Sequence, residues 1–315
     1  MSHANQKFLR LIKRELTKMS GTLAILLAVI AWAIAANVAN SLFLAGVSPL
    51  ELAGASAMIA TFGLAVLDSL FGRSHAQPLS RQQFTLGLIL VGLVGADYVA
   101  IQQLPVAVAI VLLFTAPILV VLWSGLSAHR FPSRPVMIAL ILSATGVVLV
   151  SNVLLEGWTS SNGLGILVGL TTAVLFAAYI LLSEKMRATD ESIGVMLKTF
   201  GVASLVWGAY QFTQGIPWIL LSVDYFPKVL YVGIAGNLLP YLLFFWSIQR
   251  VQAQQAAITA TLEPAIAGVL AWVWFGQTLN GMQLIGSLLI VIAITWMQFK
   301  IMVPTATNAS HLTKF

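Results

Sequence analysis

Glu263 is followed directly by Pro264 within a stretch of small and apolar residues, and this pair is where chemistry is first expected. An ionisable group inside a membrane span costs about 2.5–3.5 kcal/mol to insert, so a retained one calls for a role or a partner. Proline lacks an amide hydrogen and crowds the preceding turn, which predicts a kink with unpaired backbone beside the carboxylate. Such a carboxylate can titrate as a substrate moves or hydrogen-bond it. It can equally be buried against Lys198 or freed backbone amides and lock the helices together. Asp97, beside Tyr98, is the second carboxylate of this kind, open to a ligand role or to plain exposure near a helix end. Asn37, Asn40, Asn237, Thr259 and Thr261 offer uncharged hydrogen bonds, either to a polar ligand or between helices. Trp32, Tyr98 and Tyr179 supply aromatic surface for a cavity wall or for packing. Pro117 and Pro240 mark further kinks. Glu51, Asp68 and Lys198 need no such role: Glu51 and Lys198 can snorkel, and Asp68 can meet inner headgroups near Arg73.

Residues for catalysis are missing. The chain has no cysteine, and His3, His75, His129 and His311 all fall in termini or loops, so no metal site within the membrane is expected. No phosphate-binding G-x-x-x-x-G-K-[ST] loop and no G-x-S-x-G elbow occur. The expectation is a protein without enzymatic activity or cofactor.

The elements that must hold these groups follow from composition. Of 315 residues, 59% are hydrophobic and only 8% charged, with mean hydropathy +0.94. Soluble domains are about 25% charged, so a water-soluble fold, a disordered chain and a disulfide-stapled module are excluded. Spanning the hydrocarbon core takes about 20 mostly apolar residues. Ten such runs are read at 21–43, 48–70, 84–102, 105–125, 134–152, 163–183, 192–212, 227–247, 253–275 and 281–301. A β-barrel would alternate polar and apolar residues, whereas Leu23–Ala36 is apolar on every face. The expected fold class is an all-α polytopic membrane protein.

Lysine and arginine give the orientation, because they stay on the cytoplasmic side. With ten spans, the basic residues of the N-terminal segment, those after the second, fourth, sixth and eighth spans, and Lys300 and Lys314 fall on one face; Lys228 is the exception and Lys198 lies within a span. The net charge of +6 is therefore a topology signal and not a nucleic-acid footprint. Both termini are expected in the cytoplasm. Trp158, Trp218, Tyr225 and Trp272 fall near outer ends, and Trp123, Trp246 and Trp296 near inner ones, as an interfacial belt should. Residues 1–19 read as a basic amphipathic segment suited to an anionic leaflet, with Phe8, Ile12, Leu16 and Met19 on one stripe. A cleaved signal peptide is the competing reading.

The chain also matches itself. At an offset of 147, Ile101-Gln102 falls on Ile248-Gln249, Ala109 on Ala256 and Pro117 on Pro264; near 144, Gly21 meets Gly165 and Trp32 meets Phe176. Repeats at 20–152 and 163–301, followed by a cytoplasmic tail at 302–315, would hold five helices each and enter the membrane from opposite sides. This is the inverted arrangement of many secondary transporters. The stretch Ala100–Pro117, its counterpart Ser247–Pro264 with Leu262-Glu263-Pro264, and the later Phe275-Gly276-Gln277 and Gly281–Gly286 resemble the fourth, ninth and tenth helices of EamA-type members of the drug/metabolite transporter superfamily. The resemblance implies a central substrate cavity and export of small metabolites, often amino acids or their relatives. It departs at Ala128-His129 and Gly276-Gln277, where members commonly have Gly-Glu, at Ser56, where an arginine is often found, and at Asn40, where a lysine is.

The resulting expectation is a multi-pass inner-membrane secondary transporter exporting a small molecule by alternating access. Glu263, Asp97, Asn37, Asn237, Trp32, Tyr98 and Thr259 are its candidate binding residues, with kinks at Pro117, Pro264 and Pro240 bordering the cavity. An uncoupled facilitator and a membrane enzyme acting on lipid head groups are the alternatives. Partners are the substrate and the bilayer, with no nucleic acid. A homodimer stays open, and the spacing of Gly165 and Gly169 does not decide it.

Overall fold

The structure, a computed structural model, describes residues 3–71, 78–104, 106–150, 163–186, 192–215, 217–266, 269–270 and 280–302. Arg73, His75, Trp158, Arg187, Trp272, the Phe275-Gly276-Gln277 triplet and the 303–315 part of the tail lie outside the described residues.

Among the described residues the chain is helical, with no strand. The elements are α1 (His3–Leu44), α2 (Pro49–Phe71), α3 (Arg81–Gln103), α4 (Val106–Leu113), α5 (Ala116–Ser127), α6 (Arg134–Val150), α7 (Gly163–Lys185) and α8 (Ser192–Gln214), then α9 (Phe226–Ile248), α10 (Ala253–Ala260) and α11 (Gly281–Met302). A short 3₁₀ turn at Trp218–Leu221 precedes α9. Among the described residues, six helices are long and apolar enough to cross a bilayer: Met19–Leu44 of α1, then α2, α3, α7, α8 and α9. Shorter apolar helices occupy Val111–Ser127, Arg134–Val150 and Gly281–Trp296. Residues 3–19 form the first turns of α1, with no loop between the basic segment and the span.

Apolar side chains face outward as well as inward, which is what a lipid solvent allows. Phe62, Leu205, Phe212 and Leu288 are exposed, with Phe212 at 91%. Backbone polar groups in lipid must be satisfied within the fold, and continuous helices do this. Small residues then set how closely the helices approach. A Cβ on Gly146 of α6 would lie 2.7 Å from the Gly286 carbonyl oxygen of α11, and one on Gly286 would lie 2.7 Å from the Gly146 carbonyl oxygen. The two backbones therefore cross in direct contact. α3 packs on α7, α9 on α1, and α2 on α8. In the α2–α8 seam the Thr61 and Ser204 hydroxyls are hydrogen-bonded at 2.7 Å. Gly169 meets Leu112 of α4 inside the molecule.

Three apolar runs are not the plain helices their hydropathy suggests. The run at 105–125 is split: α4 ends at Leu113, Phe114 and Thr115 form a turn, and α5 starts with Pro117 in its first turn. The run from 253 is split likewise, with Thr261 and Leu262 in a turn and Glu263-Pro264 opening the next helical residues. Proline explains both, since it cannot bond the preceding turn. In each turn a threonine hydroxyl donates to the carbonyl three residues back, Thr115 to Leu112 and Thr261 to Ile258, both at 2.7 Å, beside the same residue's backbone N–H. In α9 the residues Val232–Leu238 wind as a π-helix immediately before Pro240, widening the backbone where Asn237 sits.

Candidate functional site

Two adjoining cavities lie between these helices. One is lined by Trp32 and Ala36 of α1, Asp97, Tyr98 and Ile101 of α3, Leu113 of α4, Phe176 of α7, Asn237 and Tyr241 of α9, and Glu263, among others. The other is lined by Asn37 and Asn40 of α1, Ala109 and Phe114 by α4, and Pro264, with Ala36, Asp97, Ile101, Leu113 and Glu263 common to both. The shared residues make the pair one bipartite space with Asp97 and Glu263 at its junction.

Each polar group reaches this space through its backbone. Glu263 projects from the residue after the α10 break, next to buried Pro264. Asp97 and Tyr98 come from the last two turns of α3. Among the described residues neither carboxylate has a hydrogen-bond or ion-pair partner, and each lies within electrostatic reach of the other. Lys198, half-buried on α8, makes no ion pair with Glu263 among the described residues. Asn237 is buried in the π-helical segment, and its amide nitrogen donates to the Tyr98 hydroxyl (3.3 Å) and to the Val232 carbonyl (3.5 Å). The Asn37 amide nitrogen donates to the Ala33 carbonyl at 2.9 Å.

An aromatic wall closes one side. The Trp32 ring meets Tyr241 at 5.2 Å and Phe176 at 6.1 Å, both edge to face, and Phe244 at 5.2 Å. Tyr179 stands behind this wall with its hydroxyl 3.4 Å from the Tyr241 carbonyl, and it does not line the cavity.

Of the residues expected from sequence, Trp32, Asn37, Asp97, Tyr98, Asn237, Glu263 and Pro264 line the two cavities. Thr259 is not among the lining residues; it is buried and its hydroxyl bonds the Gln255 carbonyl at 2.8 Å. Thr261 is spent on the α10 break. Pro117 and Pro240 are buried behind the lining. Sequence reasoning missed Tyr241 and Phe176 as lining residues. Phe176 was within reach, because at the 144 offset it is the counterpart of Trp32.

Away from the cavity, the helix ends that carry the basic residues are tied together. Thr22 of α1 accepts from the Gln255 amide at 3.3 Å, and the Glu184 carboxylate of α7 accepts from the Ala253 backbone N–H at 2.9 Å. Arg250 lies over the Trp246 ring at 3.4 Å and donates to its carbonyl at 2.7 Å.

A helical multi-pass membrane protein with a polar, aromatic-walled cavity at its centre is the architecture of a transporter. The sequence model of the EamA-like transporter family matches residues 19–152 and again 163–299, and the chain belongs to that family. It is 27% identical over 262 residues to the threonine/homoserine exporter RhtA of Escherichia coli (strain K12), covering 79% of this chain and 81% of that protein. An uncharacterized transporter of Archaeoglobus fulgidus is 28% identical over 204 residues, 64% of this chain and 71% of that one. A solved structure titled only as the crystal structure of a protein superposes with a TM-score of 0.72 at 16% identity, covering 94% of this chain and 99% of that chain.

Proposed function

We propose that this chain is a secondary transporter that exports a small metabolite, an amino acid or related compound, across the inner membrane by alternating access. The observation that carries the reading is the bipartite cavity, whose walls come from both parts of the chain and whose junction holds Asp97 and Glu263. Glu263, Asp97, Asn237, Trp32 and Tyr98 bind the substrate, with Asn37 beside its path. The breaks before Pro117 and Pro264 are the places where the backbone yields.

Ten spans in two five-helix inverted repeats, 20–152 and 163–301, fit this function. An offset of 147 carries Val106–Leu113 onto Ala253–Ala260 and the Phe114-Thr115 turn onto Thr261-Leu262. An offset of 143 carries Pro49–Phe71 onto Ser192–Gln214, and Thr61 onto its own hydrogen-bond partner Ser204. Exchanging the halves turns the packing of α3 on α7 into that of α9 on α1. Two equivalent residues bonded to each other are what a two-fold axis through the α2–α8 seam requires. Two similar halves of opposite orientation give two states of similar energy. With both termini cytoplasmic, the Thr22–Gln255 and Glu184–Ala253 ties would lie on the inner side and hold α1, α7 and α10 together there.

Counterflow in liposomes tests the proposal. Purified protein in vesicles preloaded with an unlabelled amino acid or a related amine is expected to accumulate the labelled compound transiently. No accumulation of any amino acid or related amine would contradict it.

A further inference from the structure

Resting on the transport reading above, we infer that the cavity recognises its substrate by an ammonium group held against an aromatic surface, so that the substrate class is a monocationic aromatic amine rather than a zwitterionic amino acid. Charge gives the first reason. Both halves of the cavity share Asp97 and Glu263, while no lysine, arginine or histidine is among their described lining residues. A substrate carboxylate would meet repulsion and no counter-charge; an ammonium group meets two carboxylates that lack partners among the described residues.

Hydrogen-bond polarity points the same way, independently of charge. The Asn237 amide nitrogen is committed to the Tyr98 hydroxyl and the Val232 carbonyl, and that of Asn37 donates to the Ala33 carbonyl. Their side-chain oxygens are acceptors, and an acceptor needs an N–H or O–H from the ligand. The start of a broken helix carries partial positive charge that can hold a substrate carboxylate. Here that start bears Glu263 itself, and its own carboxylate offsets the positive end.

The rest of the ligand follows from the opposite wall. Trp32, Tyr241 and Phe176 line the cavity there and give an aromatic body apolar surface to pack on. A bare metal ion would want a shell of oxygen ligands on every side. An aromatic wall does not provide one, and no cluster of three metal-binding side chains occurs among the described residues.

Three probes sharing one hydrocarbon body separate the possibilities: phenethylammonium, phenylalanine and phenylacetate. Binding of labelled phenethylammonium to the purified full-length protein is measured by scintillation proximity, with the other two as competitors. Phenylalanine is expected to compete at least tenfold more weakly than unlabelled phenethylammonium, and phenylacetate at least a hundredfold. Asp97→Asn is expected to lower phenethylammonium affinity at least tenfold with an unchanged thermal melt, and Asp97→Glu to restore most of it. No phenethylammonium binding, or phenylalanine competing as well as the amine, overturns the inference. Threonine counterflow without phenethylammonium binding would overturn it while leaving the transport reading intact. Selective amine binding without exchange of any of these compounds would uphold the charge assignment and sink the transport reading.

Discussion

Glu263 carries the sharpest demand at the scale of single residues. A carboxylate at the start of a broken helix, facing a cavity with no ion-pair partner among the described residues, is expensive to keep unless it acts on what enters. Glu263→Gln keeps the shape and removes the charge. We expect its counterflow rate to fall at least tenfold while the protein stays folded; an unchanged rate and pH dependence would remove Glu263 from the mechanism. Tyr98→Phe is a subtler case. It deletes the acceptor for Asn237, freeing that amide to turn into the cavity, and a three- to tenfold loss of substrate affinity is expected in a competition binding assay. The carboxylates and Asn237 were legible in the sequence because polar groups in apolar runs stand out. Tyr241 was not, since an aromatic in a span faces lipid, core or cavity with equal ease, and Phe176 was marked only by its place opposite Trp32 in the repeat. Only the curvature of α9 and the crossing of α7 aim those two rings at Trp32.

At the scale of elements, the breaks and the close crossings carry the argument. Hydropathy marked the apolar runs, and proline marked where two of them had to yield. It gave no sign of the π-helical turn at Val232–Leu238, which depends on packing: a Cβ on Gly236 would lie 2.9 Å from that of Ala35, and one on Gly233 2.6 Å from that of Ile59. The α6–α11 crossing is equally strict. Gly286→Ala places a carbon against a backbone carbonyl that cannot step aside, and overpacking of this kind typically costs about 1–3 kcal/mol. A clear fall in the detergent melting temperature is expected. An unchanged melt would mean that the two helices do not cross there. The proline breaks divide two of the apolar runs, giving α4 and α5 from one and α10 from the other, so none of these is long enough to cross on its own. A helix broken at mid-membrane is tolerated where it lines a cavity, because protein and water satisfy the freed backbone.

For the whole molecule, low charge said at once that the chain lives in lipid, and the few charges then divided into two kinds. Most are expected to mark the cytoplasmic face; Asp97 and Glu263 line the shared cavity. The absence of native cysteine makes this division easy to test with single substitutions. Lys7→Cys is expected to react with an impermeant maleimide only after cells are permeabilised, whereas Asn40→Cys should react from outside intact cells. The reverse pattern would invert the topology. The central claim is that substrate passes through the cavity shared by Asp97 and Glu263. Ala36 lines both parts of that cavity, and Ala36→Cys adds little bulk. The most direct measurement is counterflow of a transported substrate by this variant before and after alkylation with a bulky maleimide. The account predicts near-normal exchange before labelling, loss of at least nine-tenths of it after, and protection from labelling by excess substrate. Complete labelling with exchange undiminished would contradict it.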